Sequence, residues 1–201
     1  MSSSIAVNVA PPRPSDTGPG GVVALGTAQI TSRAAPSFAD PVSQYHSDAQ
    51  LREPAFARQR AALGSDDWRA AFVVQAIERY GVRTPDARGR SFGDPLAPLD
   101  AALGGAGDDD GALDFAWAIR DGGDVAGIVP TTARMVAALR PGGLGIVIFP
   151  FGDGAALRSD VERIAIGLIA DRHAVAVLKF RGADPSRIVP FALIFGRGDD
   201  A

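Results

Sequence analysis

Beyond residue 112 the chain alternates between short runs of unbroken apolar character and longer stretches whose apolar positions recur every three or four residues. Leu113 to Ile119, apolar except for Asp114, reads as a buried strand. Val129 to Leu139 has helical spacing, with Pro130 at its start, where a missing N–H costs nothing. Leu144 to Phe151 is a second apolar strand, so the three segments form a βαβ unit. Ser159 with Glu162 makes a capping box for a further helix, whose Val161, Ile164, Ala165, Leu168 and Ile169 face inward. Two more strands, Ala174 to Phe180 and Ile188 to Gly196, are joined by residues 181–187. That link is too short for a crossover helix and predicts an antiparallel pair.

The pattern upstream is different. Residues 1–43 are rich in Pro, Gly and Ser and are expected to form a disordered tail, because such a composition cannot offset ordering entropy by burial. Only Val22 to Ile30 is β-prone there; it reads as an apolar patch, with an edge strand as the alternative. From Ser47 helix signals begin: Ser47 with Gln50 as a capping box, Pro54 in a first turn, Gly64 as a stop. Ser65 is expected to cap a stronger helix carrying Trp68, Phe72, Val73, Ala76, Ile77 and Tyr80 on one stripe before Gly81. Trp68 and Tyr80 are read as core residues. The predicted layout is a tail over 1–43, a helical lead-in over 44–81 and an α/β domain over 82–201.

Composition narrows the chemistry. The chain has 201 residues, enough for one core. It has no cysteine, which excludes disulfides, thiolate nucleophiles and sulfur-based zinc sites. A net charge of -3 gives no field to gather a polyanion, so neither nucleic acid nor an acidic membrane is expected as a partner. No apolar run reaches the roughly 18 residues needed to span a bilayer, and no leader pattern opens the chain, so a cytoplasmic location is expected.

Strand, helix, Leu139-Arg140-Pro141-Gly142-Gly143, strand, helix and a closing antiparallel pair resemble the second half of class I S-adenosylmethionine-dependent methyltransferases. Gly111-Ala112-Leu113-Asp114-Phe115-Ala116-Trp117 is similar to that family's fourth strand and its acidic lead-in. Ala87-Arg88-Gly89-Arg90-Ser91-Phe92-Gly93-Asp94-Pro95-Leu96, followed by the helix-like Leu99 to Leu103, looks like a clipped first strand, glycine loop and first helix. The resemblance implies a truncated, Rossmann-like α/β sheet ending in an antiparallel strand pair. It also implies S-adenosylmethionine as cofactor and a small-molecule or glycan methyl acceptor. Phe92, Gly93 and Asp94 would line the donor loop, Asp110 would approach the adenine side, and Ile119, Arg120 and Asp121 would face the reacting centre. The pattern departs from the family in length: roughly twenty residues separate Gly93 from Leu113, about half of what a helix, two strands and a second helix require. The family's second and third strands are expected to be missing, and with them one wall of the donor crevice. Two functions follow: methyl transfer with a reduced or subunit-completed donor site, or a non-catalytic remnant serving as an interaction module through a homo-oligomer or a protein partner.

Other constellations are weaker. Gly89-Arg90-Ser91-Phe92-Gly93 matches a Gly-x-Ser-x-Gly nucleophile elbow, with His173 as the only downstream histidine. A serine hydrolase is nevertheless disfavoured. Val82 to Arg88 is too polar for the buried strand an elbow needs, and His173 precedes its strand, at the wrong edge. His46 and His173 form no helical metal pair, and Asp108 to Asp110 lack the spacing of a calcium loop, so no metal site is expected. Gly152-Asp153-Gly154 reads as a turn at a strand's carboxyl end.

Overall fold

A computed structural model of the chain describes residues 31–103, 112–121, 125–184 and 186–198. In strand β4 (Leu113–Ile119), Phe115, Trp117 and Ile119 pack into one apolar cluster while Ala116 and Ala118 pack into another, the period of two that a pleated strand imposes. A strand apolar on both faces needs cover on both. Helices α1 (Pro54–Leu63), α2 (Trp68–Arg79) and α3 (Ala97–Leu103) lie on the Trp117 side. Helices α4 (Val125–Ala138) and α5 (Arg158–Ala170) lie on the other. The architecture is therefore α/β, with a mixed open sheet between two helical layers.

The remaining strands are β1 (Thr31–Ser32), β2 (Ser43–Tyr45), β3 (Gly89–Ser91), β5 (Leu139–Phe151), β6 (Ala174–Val175), β7 (Leu178–Lys179) and β8 (Val189–Gly196). They form an 8-stranded sheet in the order β1-β7-β2-β8-β5-β4-β3, with β6 also paired to β8. Strands β3, β4 and β5 run parallel, and β8 runs antiparallel to β5 over its whole length. The expected βαβ unit is present as β4, α4 and β5.

Several boundaries differ from expectation for identifiable reasons. Helix α4 starts at Val125, not Val129, so Pro130 lies inside it; the Thr131 and Thr132 hydroxyls donate to the Gly127 and Ile128 carbonyls at 2.8 and 2.9 Å. Ser159 does not cap α5, because Leu157 is the N-cap residue and the Asp160 carboxylate accepts its N–H at 3.0 Å. Glu162 pairs instead with Arg158. Asp67 rather than Ser65 caps α2, accepting the Arg69 N–H at 2.8 Å. The Leu139–Gly143 stretch is a bulge within β5: Leu113 faces Leu139, but Phe115 faces Leu144. Gly142, at φ 74°, makes that irregularity possible.

The larger correction concerns the expected tail and the closing strand pair. Ala174 to Phe180 is not one strand beside β8. Only β6 pairs with β8, after which the chain diverges and β2 enters between β7 and β8, parallel to the former and antiparallel to the latter. Ser43 sits at this fork, its hydroxyl accepting the Ile194 N–H at 2.9 Å and lying 3.3 Å from the Ile194 carbonyl. Residues 31–43, expected as tail, are thus built into the fold. Phe38 is fully buried against Phe56 and Phe72, and Glu53 collects the N–H groups of Phe38 and Ala39 and the Ser37 hydroxyl at 2.8 to 3.0 Å. Val22 to Ile30 lies outside the described residues, as does the aspartate run Asp108 to Asp110.

Candidate functional site

In an open α/β sheet, loops at the carboxyl ends of parallel strands are the natural place for a ligand. Here β3 and β4 end side by side, and the structure brings together Phe92, Gly93, Asp94, Ile119, Arg120 and Asp121. Asp110 lies outside the described residues. What joins them is a hydrogen-bonded seam. The N–H groups of Phe92 and Asp94 donate to the Trp117 and Ile119 carbonyls at 2.7 Å each, and Asp121 N–H donates to the Asp94 carboxylate at 3.1 Å. Gly93 is pressed so close that a Cβ there would lie 2.3 Å from the Ile119 carbonyl oxygen. Two of the loop's backbone donors, Phe92 and Asp94, are thus spent on β4 carbonyls. Phe92 turns toward the α4 side, under the Arg134 guanidinium at 5.6 Å.

Open space lies one strand further along. A cavity of about 220 Å³ is lined by Arg120 and Asp121 after β4, Ile148, Phe149 and Pro150 at the end of β5, Ile188, Val189 and Pro190 at the start of β8, and Arg69 from the first turn of α2. Arg69 is placed by the cap of its own helix. Asp67 accepts its Nε at 3.1 Å and its Nη2 at 2.8 Å, and Asp121 accepts from Nη1. Burial alone would raise the Asp67 carboxyl, but the bonds from Arg69 outweigh it and hold that carboxyl below its ordinary value. The same pairing raises Arg69.

Arg120 is arranged differently. Its Nη1 donates to the Thr131 hydroxyl at 3.2 Å, and its guanidinium lies so close to Gly127 that a Cβ there would sit 2.5 Å from Nη2. Its Nε is buried without a partner. Arg120 and Asp121, which the resemblance to methyltransferases assigned to a reacting centre, line this cavity. Sequence reasoning missed Arg69, because a basic residue at the head of an amphipathic helix reads as solvated; the Asp67-x-Arg69 spacing was the available signal.

The remaining constellations do not converge. Ser91 ends β3 beside Trp117, whereas His173 sits at the opposite end of the sheet, its Nδ1 accepting the Gly198 N–H at 3.2 Å. Gly152-Asp153-Gly154 forms a turn closed by the Gly152 N–H to the Ala156 carbonyl at 3.0 Å. Trp68 is core, stacked on Phe72 at 4.5 Å. Among the described residues no group of three or more His, Asp or Glu is placed to share a metal ion, and no helix is long and apolar enough to cross a membrane. No protein-family model matches the chain, and no curated protein is detectably similar to it.

Proposed function

We propose that the chain is a methyltransferase-like α/β protein without a working donor site, acting as a non-catalytic interaction module. The likeness rests on the sequence motifs, and the strand order supports it. Strands β3, β4 and β5 run parallel, β8 is inserted antiparallel beside β5, and the β6–β7 segment lies beyond it. The observation that carries the loss of donor binding is the seam between Phe92–Asp94 and Trp117–Asp121. A ligand drawing on the Phe92 and Asp94 N–H groups would have to break those bonds and move backbone that is packed closely at Gly93.

Calorimetric titration with S-adenosylmethionine and S-adenosylhomocysteine tests this reading. The expected outcome is no saturable heat and no rise in melting temperature at about 1 mM ligand, since a molecule selective for the native state must stabilise it. A clear rise, or turnover of the donor by a strictly monomeric chain, overturns it. A second reading, methyl transfer with the donor site completed by another subunit, draws on the position of β3 at the sheet edge. It requires donor binding that appears only on association, which light scattering during the same titration distinguishes.

A further inference from the structure

At the carboxyl end of β5, Pro150 and Pro190 face each other across the ladder, and neither has an N–H to offer. The nearby carbonyls are occupied: Pro190 accepts from His46 N–H at 2.7 Å, Ile148 from Arg120 N–H at 2.9 Å and Pro150 from Ala156 N–H at 3.4 Å. Polar chemistry on the cavity wall therefore falls to Arg69, Arg120 and Asp121. Arg69 is committed to Asp67 and Asp121. Arg120, half-buried on the same wall, donates Nη1 to the neutral Thr131 hydroxyl, and no carboxylate among the described residues pairs with it. A half-buried guanidinium on a cavity wall is suited to a carboxylate, which it can meet with charge-assisted hydrogen bonds.

We propose that this cavity binds a small organic monocarboxylate, its carboxylate pairing with Arg120 and its apolar body lying against Pro150, Pro190, Ile188 and Val189. A space of about 220 Å³ that opens to solvent suits a small molecule rather than a polymer. The wall sets its character, since a ligand body there meets proline rings and branched aliphatics, and Ile188 is 60 % exposed without it. Asp121 sets its charge, because a carboxylate on the lining opposes a dianion more than a monoanion. The cavity shares Arg120 and Asp121 with the seam but opens on the β5–β8 side, and binding of a small carboxylate requires no methyl-donor site, so the two readings are tested by different ligands.

The full chain is titrated calorimetrically with isovalerate, its neutral isostere isovaleramide, and inorganic phosphate. Isovalerate is expected to bind, with the amide and phosphate each about tenfold weaker or more, the worth of a charge-assisted contact. Arg120→Gln is expected to lose about tenfold for isovalerate while leaving the amide unchanged. Ile188→Ser, at an exposed position, is expected to weaken isovalerate without moving the melting temperature, and so keeps the proposal testable if the Arg120 variant fails to fold. Equal affinity for acid and amide, a preference for phosphate, or no saturable isovalerate binding by about 10 mM overturns the proposal.

Discussion

Gly145, midway along β5, has no space for a methyl group: a Cβ there would lie 2.2 Å from Cζ of the fully buried Phe195. Gly167 on α5 meets nothing within 4 Å. Gly145→Ala is therefore expected to destabilise by about 1–3 kcal/mol through overpacking, and Gly167→Ala to stabilise by up to about 1 kcal/mol through helix propensity, both read from urea unfolding. Electrostatics act at the same scale in His46, whose ring lies 5.2 Å from that of Trp68, with Nε2 buried and unpartnered. Burial lowers its pKa below 6.5; Asp48 and Asp67 oppose the shift, while Arg187 reinforces it. As pH falls through 6.5 the unfolded chain takes up a proton before the folded one does, so stability drops until the folded value is passed. Urea midpoints measured from about pH 8 down to about pH 5 are expected to fall for the native chain and to stay flatter for His46→Gln. Asp67 adds a separate loss at lower pH, since its stabilisation exists above 3.8 and disappears through its depressed folded value.

At the scale of elements, the start of α2 combines two tasks in one side chain, because Asp67 caps the helix and orients Arg69 toward the cavity. Asp67→Ala is expected to cost about 1–2 kcal/mol, while Asp67→Asn keeps the cap and loses the ion pair, and thermal unfolding of the two variants separates the contributions. Elements defined by their own sequence were legible. Leu113–Ile119 is legible because it is apolar at every position but Asp114, and the α2 stripe because its spacing is helical throughout. Errors arose where local signals compete. Pro130 imitates a helix start, and Ser159 with Glu162 imitates a capping box one turn late. Ala174 to Phe180 reads as a single strand because the cause of its division, β2, lies far away in sequence.

For the molecule as a whole, the segment from Thr31 to Tyr45 ties the first helical layer to the far side of the sheet. Phe38→Ala is expected to cost about 3–5 kcal/mol, a large share of an ordinary domain's stability, as measured by denaturant unfolding. Its role was illegible because it continues a Pro-, Gly- and Ser-rich stretch and its stability comes from distant partners: Glu53 for the Phe38 backbone, Arg181 for the Tyr45 hydroxyl at 2.8 Å and Ile194 for Ser43. The candidate site divides in the same way. Its strand-end residues were named only through the family resemblance, whereas the cavity depends on Pro150 and Pro190 meeting across a ladder that no local window contains.

Ser43 and Ile194 stand 151 positions apart, which places a constraint on how the chain is made. During synthesis β2 emerges long before the surface that will hold it, and the central ladder cannot be closed on that flank until β8 has left the ribosome. Contacts of such long range are characteristically late and slow to form. Until then the edge of β5 that β8 will cover lacks its partner strand, an invitation to pairing between neighbouring nascent chains.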